Sequence, residues 1–151
     1  MYFVDQEKIQ EKLAYINWLL EQLEKCHAGS SIENLALERI IHLLIEAILD
    51  TGNMMIDGFI MRDPGSYEDI IEILVDERVL KEDEKEAYQA IIRLRKTVVT
   101  DYLNIDHIAL KQTVDHHIAT LKQFASRIRA YLENELKVAH AFSKILKDDV
   151  M

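Results

Sequence analysis

Apolar residues recur along this chain at intervals of three and four, the period of one helix face. Ile9, Leu13, Ile16, Leu20 and Leu23 form the first such stripe, just after Asp5, a good acceptor for the free N–H groups of a first turn. Ala28-Gly29-Ser30-Ser31 ends it. Ser30, followed three residues later by Glu33, has the capping-box pattern and predicts a second helix. Leu37, Ile41, Leu44, Ile48 and Met55 line its apolar side. Arg39, His42, Glu46, Asp50, Asn53 and Asp57 recur at the same spacing on the other side, as a polar stripe flanked by Leu43, Ile45 and Leu49. Asp63-Pro64-Gly65 predicts a turn, and Ser66 with Asp69 predicts a short third helix carrying Ile70, Ile71, Leu74 and Val75. A fourth helix starts near Glu82 or Asp83 and turns Ala87, Ile91, Leu94 and Val98 to the core. Its first turn is acidic and its last half basic, which suits the helix dipole. Asn104-Ile105-Asp106 breaks it, with Asp106 as the next N-cap. A long fifth helix buries Ile108, Val114, Ile118, Leu121, Phe124, Ile128 and Leu132. Residues 137–151 read as a last short helix or a frayed tail.

These elements make an all-α fold, an antiparallel up-and-down bundle of four to five helices in one domain over residues 1–151. Composition agrees. The chain has 151 residues, one Pro and four Gly, too few corner residues for many short strands. A chain of this length buries roughly 70% of its unfolded surface, so it needs no disulfide or structural metal. Cys26 is its only cysteine and forms no internal disulfide, which suits a reducing cytoplasm. The first residues lack the layout of a signal peptide. Glu46 interrupts the apolar run LLIEAIL, and no stretch reaches the roughly 20 apolar residues of a membrane span. The net charge of −9 argues against a broad nucleic-acid surface, and against DNA binding in particular. RNA contact requires a local basic patch.

The candidate chemistry is sparse. Adjacent His116 and His117 point about 100° apart on a helix, so with Asp115 they read as a solvated face rather than a metal site. His107 and His140 read as surface residues. His42 precedes Glu46 by four residues, but no other helix supplies a matching set, so no metal and no cofactor are expected. The stripe Arg39, His42, Glu46, Asp50 reads as a paired polar network, with Arg39 reaching Glu46 or a neighbouring helix, or as the wall of a polar cleft.

Three segments, in order, resemble one family. They are RIIHLLIEAILDTGNMMIDGF at 39–59, IMRDPGSYEDIIEILVDERVL at 60–80 and RKTVVTDYLNID at 95–106. The family is the HEPN superfamily of small helical bundles, in its HepT-like branch and its YutE-type group. The resemblance implies a homodimeric, metal-independent endoribonuclease toxin whose two motifs meet at the dimer interface. It also implies a nucleotidyltransferase antitoxin that adenylylates the motif tyrosine. The family signature is an arginine, four to six residues, a histidine, and a tyrosine two positions later. Arg95 matches the arginine, Lys96 the polar residue after it, and Tyr102 the tyrosine. The histidine position holds Thr100.

That departure has a chemical consequence. Cleavage by the RNA's own 2′-hydroxyl needs a proton acceptor and donor near neutral pH, and imidazole serves because its pKa is about 6.5. A threonine hydroxyl does not titrate there, and acid–base catalysis is typically worth ~100- to 10,000-fold. Weak or absent nuclease activity is the direct expectation, unless Asp101 or His107 substitutes. The alternative is a non-catalytic homodimer that binds a partner protein, a nucleotide or RNA. Positions 95 and 100 also lie about 140° apart on an ideal helix. Either the helix loosens near Thr100, or the two residues act across a dimer interface.

Overall fold

The computed structural model describes residues 4–150, and among them it contains helices and turns but no strand. Six α-helices follow one another: α1 (Gln6–Lys25), α2 (Ser31–Gly58), α3 (Tyr67–Asp76), α4 (Lys85–Arg95), α5 (His107–Leu121) and α6 (Phe124–Val150). A 3₁₀ turn at Glu82–Glu84 leads into α4, and a π turn at Lys96–Thr100 leads out of it.

The helices start where side chains can take up their free N–H groups. Asp5 accepts from the Lys8 N–H at 3.1 Å, Ser66 from Asp69 at 3.0 Å and Asp106 from Ala109 at 3.0 Å. Ser30 and Glu33 close the reciprocal capping box, each bond 3.2 Å. Each such cap is worth about 1 kcal/mol.

α1 and α2 pair along their length, burying Ile9, Leu13, Ile16, Leu20 and Leu23 against Leu37, Ile41, Leu44 and Ile48. α3 lies across α2 at Gly52, where an added Cβ would stand 2.6 Å from Ile70 Cγ2. No side chain larger than hydrogen permits that approach. α4 packs on α3 and α5. Tyr88 is fully buried, donates its hydroxyl to the Thr120 carbonyl at 3.0 Å and meets the Phe124 ring edge-on at 5.6 Å. Burial, with the Glu84 carboxylate second, pushes its phenol above the ordinary range. Lys111 is likewise buried. Its ammonium donates to the Leu23 carbonyl at 2.6 Å and pairs with Asp115 at 2.9 Å, which ties α5 to the end of α1. No helix among the described residues is long and apolar enough to cross a membrane.

The stretch read as one long fifth helix is two. α5 stops at Leu121, Lys122 and Gln123 turn, and α6 starts at Phe124. No Gly or Pro marks this break. The Thr120 carbonyl accepts from the Gln123 N–H and from the Tyr88 hydroxyl instead of continuing the helix. On the far side Arg127 is held by Glu84 through three contacts of 3.0–3.2 Å. Residues 137–150 are neither a separate helix nor a loose tail; they continue α6. Phe142, Ile145 and Leu146 are exposed on that extension.

Candidate functional site

The site lies where the end of α4 meets the middle of α2 and the start of α3. The eleven residues of α4 keep α-helical register, and then the helix loosens. The Asp101 N–H donates to the Lys96 carbonyl at 2.9 Å, a bond spanning five residues rather than four. Such insertions are concentrated at functional sites. Half-buried Val98 packs on the core and pins the turn. A 3₁₀ turn at Tyr102–Asn104 then carries the chain to the Asp106 cap.

Arg95 is the last residue of α4 and is half-buried. Its Nε donates to Glu46 Oε1 at 2.7 Å, and its guanidinium carbon lies 4.5 Å from the centre of the Tyr67 ring. The Glu46 bond raises the Arg95 pKa, so the guanidinium keeps its charge. Among the described residues this is its only hydrogen bond, which leaves the two terminal amines unpaired. The terminal amines of an arginine form an edge able to take a phosphate or carboxylate in a bidentate contact. The same Glu46 oxygen lies 3.8 Å from His42 Nε2, one helical turn earlier on α2.

The polar stripe of α2 therefore does not act as one cleft. Glu46 turns to α4, whereas Asp50 turns to α1 and meets Lys12 at 3.6 Å. Asp50 instead helps line a separate open groove between α1 and α2, with Lys8, Glu11, Lys12, Asn53 and Asp57. Arg39 is exposed, and the partner of Glu46 is Arg95, 49 residues away, rather than Arg39. Sequence spacing finds residues that share a helix face; it does not find a cation on another helix.

Thr100 and Lys96 are exposed on the π turn. Tyr102 is 60% exposed, with no hydrogen bond or ring contact among the described residues. The π turn Lys96–Thr100 lies between it and Arg95 in the chain. Leu103 and Ile108 beside it are also exposed.

His107 is not a surface residue. It is half-buried, with Nε2 2.8 Å from Glu38 Oε2, and it ties the start of α5 to α2. His116 and His117 stack edge-on at 4.7 Å. Burial, then His116, lowers the His117 pKa. No group of three or more His, Cys, Asp or Glu among the described residues could hold a metal ion. Sequence reasoning missed Tyr67, the platform under Arg95. Nothing in its local pattern distinguishes it from a helix-start residue.

Three comparisons bear on this geometry. The family model "Ribonuclease HepT-like" matches residues 9–128. The chain is 50% identical over 143 residues to a curated Bacillus subtilis (strain 168) protein named "Putative RNase YutE", covering 94% of this chain and 99% of the relative. The solved structure of YutE from Bacillus subtilis, described as a cytosolic protein of unknown function, superposes with a TM-score of 0.87 at 51% identity, covering 90% of this chain and 96% of that one. A tri-AMPylated Shewanella oneidensis HEPN toxin, solved in complex with its MNT antitoxin, superposes with a TM-score of 0.72 at 20% identity, covering 81% of this chain and 96% of that one. The last likeness concerns the fold.

Proposed function

Because the chain belongs to the HepT-like ribonuclease family, we propose that it is a metal-independent endoribonuclease of a toxin–antitoxin pair, with Arg95 gripping the RNA phosphate. The observation that carries this reading is the single-ended fixing of Arg95. Glu46 holds Nε and Tyr67 supports the guanidinium, while the terminal amines stay open at a loosened helix end. A cation held this way keeps its position and its charge, and retains two donors for a ligand.

The protein works as a homodimer with its two motif turns at the interface, in the cytoplasm. Exposed Tyr102, Leu103 and Ile108 beside the motif support that placement, since apolar side chains grouped on a surface mark contact regions. A nucleotidyltransferase antitoxin restrains the toxin by adenylylating Tyr102. The exposed phenol is open to such a partner, and the added phosphate would set negative charge beside the RNA path.

Thr100 supplies no proton transfer, so the motif alone is a slow catalyst. The ion pair with Glu46 also favours a second reading, a non-catalytic homodimer that binds a partner protein, nucleotide or RNA. RNA cleavage in EDTA separates the two. The ribonuclease reading predicts cleavage by the wild-type protein, a loss of about 100-fold in Arg95→Ala, and a gain in Thr100→His. Cleavage by Thr100→His alone, with none by wild type, selects the non-catalytic reading. Wild-type cleavage that survives Arg95→Ala removes Arg95 from the site.

A further inference from the structure

We propose that His42 is the proton acceptor of the cleavage step, standing on α2 in place of the histidine that the motif lacks at Thr100; this rests on the ribonuclease reading above. Glu46 Oε1 is the common point. It takes the Arg95 Nε–H at 2.7 Å and lies 3.8 Å from His42 Nε2. The imidazole and the guanidinium are therefore neighbours across one oxygen atom. The four-residue spacing on α2 fixes this arrangement, since positions four apart share a helix face.

The contact of His42 with Glu46 is too long for a hydrogen bond. Nε2 is thus close to the carboxylate without being taken up by it, and the side chain is 30% exposed. The other histidines are placed differently. His107 is held by Glu38, and His116 and His117 pack on each other along α5. His27 and His140 are exposed, beyond the end of α1 and on the extension of α6. Among the described residues, His42 is the one histidine that shares a partner with Arg95. The charged and titratable groups around it are Glu38, Arg39 and Glu46 on its own helix, Arg95 from α4, and Tyr67 from α3 beneath that guanidinium.

The chemistry balances with these groups. His42 Nε2 takes the proton of a ribose 2′-hydroxyl. The 2′-oxygen bonds to the adjacent phosphorus while the bond from phosphorus to the 5′-oxygen breaks. The leaving 5′-oxygen takes a proton from water, and the products are a 2′,3′-cyclic phosphate and a 5′-hydroxyl. The Arg95 terminal amines hold the non-bridging oxygens as charge builds on them. Glu46 fixes Arg95, and its charge 3.8 Å from Nε2 offsets the charge that the imidazole acquires.

The test is cleavage of an RNA oligonucleotide in EDTA across pH by wild type, His42→Gln and the double variant His42→Gln/Thr100→His, with thermal unfolding as the fold control. His42→Gln is expected to lower kcat by about 100-fold with little change in KM. It should also remove the acid limb that an imidazole base gives the pH–rate profile. The double variant should regain part of the rate, since it returns an imidazole to the motif. If His42→Gln keeps the wild-type rate and profile while Arg95→Ala loses both, the inference fails and the ribonuclease reading stands. If wild type releases no cyclic phosphate at any pH, both fail.

Discussion

Two of the arginine–glutamate pairs that tie this bundle together are built differently. Glu84 is 10% exposed at its side chain, and Arg127 grips it through Nε and Nη2 with three contacts. The Glu84 carboxylate also accepts the Lys81 N–H at 3.1 Å. In the second pair, Glu46 is 36% exposed and Arg95 reaches it through Nε alone. The first pair meets edge to edge, with two guanidinium nitrogens on a carboxylate that is largely buried. The second leaves donors over at a helix end that has lost its regular register. A buried pair joined through Nε and a terminal amine holds the structure, whereas one joined through Nε alone keeps both terminal amines for a ligand.

The same chemical change, carboxylate to amide, should separate the pairs most widely in stability. Glu84→Gln leaves Arg127 partly buried without a counter-charge, and such a loss costs about 3 kcal/mol. The unfolding midpoint should fall by about 6–12 °C in a thermal melt. Glu46→Gln should cost under about 1 kcal/mol, since its pair is more exposed and singly bonded. Equal shifts in the two variants would dissolve the distinction.

Much of the fold was legible because local chemistry specifies it. Asp5, Ser30, Ser66 and Asp106 cap the helices that follow them, as their spacing to the first apolar residues indicates. The buried positions of α1 and α2 follow the three-and-four period. The corner at Lys122 and Gln123 was not legible, because it is imposed from α4. Tyr88 takes the Thr120 carbonyl, and Glu84 anchors Arg127 beyond the turn. The site divides the same way. The spacing from Arg95 to Thr100 left a loosened helix or action across a dimer interface open, and a π turn stands at that point in the chain. The pairing of Arg95 with Glu46 and Tyr67 joins three helices, and no local pattern encodes it.

A smaller effect is expected at Arg93, two residues before Arg95. It is paired twice, to Glu68 and to Glu86, each at 3.0 Å, and it is about half exposed. Arg93→Ala should leave the unfolding midpoint nearly unchanged and change cleavage by under about threefold.

That neighbour supplies the control for the most direct measurement. Single-turnover cleavage of saturating RNA in EDTA should be compared between Arg95→Ala and Arg93→Ala, each against wild type. Both remove one arginine from the same helix end, but Arg93 is tied at Nε and Nη1, whereas Arg95 is tied at Nε alone and keeps both terminal amines unpaired among the described residues. A loss of about 100-fold at position 95 beside a near wild-type rate at position 93 is the predicted result. Equal losses at the two positions would mean that cleavage responds only to the general charge of this helix end, and would contradict the assignment of Arg95.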